Sequence, residues 1–81
     1  MTQFRDKGVN SVMRHEIQRV IETLRDDVLD RHSFGFSGYI VFRKKRNAER
    51  IADLLKEAGC HRAEVKQAYY DEEQNKWSAK D

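Results

Sequence analysis

The spacing of apolar residues switches between steps of three or four and steps of two along this chain, and each switch predicts an element. Val12, Met13, Ile17, Val20, Ile21, Leu24, Val28 and Leu29 recur at three- and four-residue intervals, the signature of one buried helical face. With Asn10 or Ser11 as N-cap, that stripe predicts a helix to about Arg31, spanning about 30 Å. Arg14, Glu16, Arg19, Glu22, Arg25 and Asp26 supply its solvated side. Ahead of it, residues 1–8 are polar and end in Gly8, which reads as a flexible leader to a single domain over residues 9–81.

From Phe34 the period becomes two. Phe34, Phe36, Gly38, Ile40 and Phe42 alternate with Gly35, Ser37, Tyr39, Val41 and Arg43, so one strand is expected with the first set toward the core. A second helix follows Asn47, with Ala48, Ile51, Ala52, Leu55 and Ala58 as its apolar stripe and Gly59 as a left-handed stop. Residues 62–70 alternate weakly and predict a second strand. The turn-rich Asp71–Asn75 and the short Lys76–Ala79 segment with Trp77 then complete a hairpin. The expected fold is a small α+β two-layer sandwich of order αβαββ, with both helices on one face of a three-stranded sheet. Its other face, carrying Tyr39, Val41 and either Tyr70 or Trp77, is expected to be open to a partner.

Composition narrows the class. At 81 residues, with 38% apolar and 37% charged side chains, the chain can close a core. It is nevertheless small enough that a partner would help its stability. Sixteen cations against fourteen carboxylates leave a formal charge of only +2, so electrostatic recognition must rest on local clusters. Cys60 is the single cysteine, which excludes an internal disulfide and suits a reducing, cytoplasmic setting. No apolar run has the length of a signal peptide or a membrane span, so a membrane partner is not expected.

Catalytic and metal-binding patterns are thin. His15-Glu16 begins like a helical zinc-protease motif, but Arg19 stands where the second histidine ligand belongs. His32, Cys60 and His61 have no zinc-ligand spacing. Cys60 reads as a small buried residue, and His61 as a cation at a helix end. Asp26-Asp27 and Asp71-Glu72-Glu73 read as solvated surface. No phosphate-cradling glycine loop or nucleophile elbow is present. The expectation is a protein that is not an enzyme and uses no cofactor or metal.

The basic run Arg43-Lys44-Lys45-Arg46 is the strongest binding signal, with Arg50 one turn further along. Cations at the start of a helix oppose its dipole, so local stability does not require them. Phosphates are attracted both to such cations and to the helix N-terminus. Glu49, Asp53 and Glu57 form an acidic ridge on the same helix and make the surface bipolar, which suits a protein partner of complementary charge.

Gly38-Tyr39-Ile40-Val41-Phe42 followed by a helix opening at Ala48 resembles the second half of an RNA-recognition motif, over about residues 35–70. The resemblance implies that Tyr39 is a base-stacking platform. Gly35, Phe36 and Ser37 depart from that motif, the second helix is longer than usual, and the first strand with its own stacking aromatic is missing.

The leading expectation is a non-catalytic binding protein acting as a stoichiometric inhibitor or adaptor of a larger protein or nucleoprotein complex. Tyr39, Val41 and Tyr70 would be its apolar anchors, with Arg43, Lys44, Lys45, Arg46 and Arg50 steering the encounter. The alternative is an RNA- or single-stranded-DNA-binding module using Tyr39 and the basic loop. A homodimer pairing sheet faces or helices is a further possibility.

Overall fold

The first residues, expected to be a loose leader, form a strand at the centre of the sheet. In the computed structural model, which describes residues 1–5, 11–34 and 37–80, Thr2–Arg5 (β1) pairs antiparallel with two neighbours. Thr2 is fully buried, and its hydroxyl donates to the Ala48 carbonyl at 2.6 Å. Phe4 packs against the main core. The pattern concealed this strand because only Phe4 among its four residues is apolar, so alternation gives almost no signal. The strand missing from the RNA-recognition-motif comparison is therefore present. Its aromatic belongs to the helix side, and Gln3 and Arg5 alternate with it.

The first helix is shorter than its apolar stripe. Ser11–Thr23 (α1) buries Ile17 and Ile21. The Leu24 N–H then reaches both Val20 O (3.1 Å) and Ile21 O (3.0 Å), the tightening typical of a helix end. A single 3-10 turn, Arg25–Asp27, leads into Val28–Phe34 (β2). Val28 and Leu29 fit a helical stripe and a strand equally well, and tertiary pairing decides for the strand.

Because β2 runs antiparallel to Ser37–Phe42 (β3), with Arg31 opposite Ile40, His32 opposite Tyr39 and Phe34 opposite Ser37, the expected single strand 34–42 is corrected to part of a hairpin. Gly35 and Phe36, expected within that strand, lie outside the described residues. Within β3 the alternation holds: Ile40 and Phe42 join the core under the helices.

Lys45–Glu57 (α2) buries the predicted stripe of Ala48, Ile51, Ala52 and Leu55. Gly59 stops it at φ 107°, a conformation that costs glycine little. The expected strand over 62–70 is interrupted. Glu64–Val65 (β4) pairs with β1, whereas Gln67–Asp71 (β5) and Lys76–Lys80 (β6) form a separate hairpin. At the break, the Lys66 N–H donates to Met1 O at 2.8 Å, and the Met1 amino group donates to Lys66 O at 2.7 Å. Those bonds anchor the start of the hairpin to the sheet.

The main sheet has the order β2-β3-β1-β4, all antiparallel. The expected three-stranded αβαββ sandwich is thus corrected to a β-α-β-β-α-β unit with an added hairpin. Each helix connects two parallel strands that are separated by a third, the split βαβ arrangement. The α+β class and the two helices stand. Ile17, Ile21, Ile40, Phe42, Ile51 and Leu55 centre the core on the helix side. Among the described residues no helix is long and apolar enough to cross a membrane.

A second correction concerns the outer face, where Val41 was expected to be exposed. Val41 is only 1% exposed, yet it lies outside the helix-side cluster. Met1, also buried, lines one cleft with Val41 and Trp77, so β5 and β6 lie over this end of the sheet.

Candidate binding clefts on the outer sheet face

Register aligns one polar row across the sheet: His32 on β2, Tyr39 on β3, Gln3 on β1 and Glu64 on β4. Tyr39 is half-buried. Its ring stacks on His32, with centroids 5.8 Å apart and planes 28° apart. Its hydroxyl donates to Asp30 Oδ2 at 3.0 Å. Burial, then the bond to Asp30 and its negative charge, raises the phenol pKa above the ordinary value, because all three disfavour phenolate. The expected stacking platform therefore already has an aromatic neighbour and a fixed hydroxyl.

The hairpin and the strand-end basic corner enclose a cleft of about 520 Å³. Leu29, Val41 and Trp77 line it together with Arg43, Lys45 and Lys66. Trp77, opposite Tyr70 in the β5–β6 register, lines this cleft, and its indole meets the Tyr70 ring edge-on at 5.6 Å. Apolar surface and cations thus meet in one concavity.

Asp27 changes the picture at the start of α2. Its Oδ2 accepts from the Lys44 N–H at 3.2 Å and from the Asn47 side-chain amide at 2.8 Å. Asp27 thus supplies the cap that Lys44, the N-cap residue, lacks. The Asn47 hydrogen bond, followed by the backbone bond and the charges of Lys44 and Arg43, lowers the Asp27 carboxyl pKa. The helix end expected to attract phosphate already holds this carboxylate.

The expected binding residues divide. Val41, Arg43 and Lys45 come together at the corner cleft. Lys45 also pairs with Glu49 at 3.7 Å. Lys44, Arg46 and Arg50 are exposed but are not part of its lining. Arg46 and Arg50 have no carboxylate partner among the described residues. Tyr39 lies in two neighbouring clefts. Tyr70, 45% exposed, contacts Trp77 and donates its hydroxyl to Asn75. Leu29, Lys66, Arg5 and Arg62 escaped the sequence reading. Leu29 fits a helix stripe and Arg5 falls in a polar stretch with one apolar residue in four, so local pattern links neither to a site.

No cluster of three or more metal-ligating side chains occurs among the described residues. His32, Cys60 and His61 do not form one, and Cys60 is fully buried. No protein-family model matches the chain, and no curated protein or solved structure matches it.

Proposed function

We propose that this protein is a non-catalytic binding module, acting as a stoichiometric inhibitor or adaptor that captures an acidic, apolar-anchored segment of a larger protein or nucleoprotein complex. The observation that carries this reading is the corner cleft, where Leu29 and Trp77 lie beside Arg43 and Lys45, with the buried Val41 at its floor. An aliphatic or aromatic side chain entering it removes its apolar surface from water, which is favourable. Carboxylates flanking that side chain meet the cations, which speed encounter and set orientation. Lys44, Arg46 and Arg50 extend the positive field along the approach.

The nucleic-acid alternative draws on the same cations. It is disfavoured by the hairpin over one end of the sheet face and by the existing engagement of Tyr39 with His32 and Asp30. The deciding experiment immobilises the protein, captures a partner from a lysate of its source cells with and without nuclease, and reconstitutes the complex from purified components. Capture of a protein that survives nuclease is expected. The double variant Arg43→Glu/Lys45→Glu is expected to lower its affinity by about tenfold or more, mostly through slower association. Release by nuclease would favour the alternative, and equal binding by the double variant would remove the corner cleft from the reading.

A further inference from the structure

We infer that the end of the outer sheet face whose cleft is lined by no residue of the β5–β6 hairpin is a separate site for a small phosphorylated polyol, such as a sugar phosphate, with Arg5 and Arg62 holding its phosphate. A cleft of about 420 Å³ lies there, lined by Gln3, Arg5, Tyr39, Arg62 and Glu64 among others. That volume is within the usual range for small-molecule sites, roughly 300–1,000 Å³.

The two arginines are far apart in sequence and are brought together by the loop after α2. Cys60, in that loop, is fully buried, and its thiol donates to the Arg5 carbonyl at 3.8 Å. The loop is held in turn by Cys60 N–H to Leu55 O (2.8 Å) and Ala63 N–H to Cys60 O (3.3 Å). The loop backbone that carries Arg62 is thereby held near the end of β1, and Arg62 lines the same cleft as Arg5.

Neither Arg5 nor Arg62 has an ion-pair partner among the described residues. The one carboxylate lining the cleft, Glu64, is paired with Lys66 at 3.6 Å. Two guanidinium groups at one concavity repel each other, and a dianionic phosphate relieves that repulsion while accepting paired N–H bonds from each. The rest of the lining suits hydroxyl groups. The Gln3 amide can donate and accept, the Glu64 carboxylate accepts, and Tyr39 contributes ring surface on which a sugar's C–H groups can rest. Glu64 also disfavours a second phosphate. None of these side chains belongs to the corner cleft, so the inference stands whether or not that cleft captures a protein.

The test is an NMR titration of the folded protein that follows the Arg Nε–H and Gln side-chain amide signals, with inorganic phosphate, glucose 6-phosphate and glucose as probes. Glucose 6-phosphate is expected to shift Arg5, Arg62 and Gln3 and to saturate in the millimolar range. Phosphate should shift the arginines alone with about tenfold weaker binding, and glucose should shift nothing. Arg5→Ala and Arg62→Ala are each expected to weaken sugar-phosphate binding by about tenfold or more, as loss of a charge-assisted bond implies. Arg62→Lys should keep part of it, and Arg19→Ala on α1 should leave it unchanged. Both arginines in the cleft are exposed, so these variants keep the fold, and their backbone spectra check that. Absence of any saturable arginine shift with either phosphate probe would overturn the site. So would shifts that persist undiminished in both alanine variants, and binding of glucose 6-phosphate no tighter than that of phosphate would overturn the polyol assignment.

Discussion

The two faces of the sheet are built from alternate residues of the same strands, yet they are filled in opposite ways. On one, aliphatic stripes from α1 and α2 close over Ile40 and Phe42, leaving Ile51 fully buried. On the other, a two-stranded hairpin covers Met1 and Val41 but leaves the row from His32 to Glu64 polar and bordered by clefts. A helix presents a wide apolar stripe that matches a sheet along its length. A hairpin presents only every second side chain of two short strands. The helix side therefore carries the stability, and the hairpin side keeps the concavities in which recognition can occur.

Substitutions that create cavities on the two sides should separate most clearly. Ile51→Ala is expected to destabilise the fold by about 2–5 kcal/mol, the range for large-to-small changes in a closed core. Val41→Ala should cost about 1.5 kcal/mol, the loss of two buried methyl-sized groups. Urea midpoints measure both, and equal losses would mean that the hairpin closes a core as tight as that under the helices. Hydrogen exchange would sharpen the same contrast, with β5 and β6 amides opening at lower free energy than those of α2.

A smaller effect is expected at the boundary between the two faces. Asp27→Ala removes the cap of α2 and should cost about 1 kcal/mol. Since the folded carboxyl pKa lies below its ordinary value of 3.8, the Asp27 contribution is fully present above that value. It is lost as pH falls through the lowered one. Acid unfolding curves of the wild type and of Asp27→Ala should therefore converge as pH drops into that window. A constant gap between them would count against the carboxylate as the origin of the effect.

The smallest change belongs to the polar row. Tyr39→Phe deletes the bond to Asp30 and should alter stability by about 1 kcal/mol or less. In a spectroscopic titration, the difference between wild type and variant should show a phenol with its midpoint above the ordinary 10.0. The sign follows from burial and the neighbouring carboxylate. The Tyr39 contribution is intact below the ordinary value and disappears as pH rises through the raised one. A midpoint at the ordinary value would mean that the ring is freer than its contacts with His32 and Asp30 imply.

Much of the helix side was legible in the residues. The stripe of α2, its stop at Gly59 and the alternation of Ile40 and Phe42 depend on local periodicity, which survives whatever the rest of the chain does. β1 was not legible, because a central strand of four residues with one apolar member derives its order from Ala48 and from its two neighbours. The boundary between α1 and β2 was also hidden, since Val28 and Leu29 satisfy either period. The basic corner was recognised from its four consecutive cations. Trp77 and Leu29 beside it, and the presence of Arg5 and Arg62 in one cleft lining, required strands and loops distant in sequence to meet.

What the sequence by itself determined was local: which stretches repeat at helical or strand spacing, where a glycine permits a helix to turn out, and that cations collect at one junction. The tertiary structure decided the rest. It made Thr2–Arg5 a central strand, paired Val28–Phe34 with Ser37–Phe42, buried Val41 and placed Asp27 at the start of α2. The reason is physical: a helical or alternating pattern is set by neighbours within a few residues. Strand order, face coverage and cleft lining depend on backbone hydrogen bonds and side-chain packing between segments that the chain separates by tens of residues.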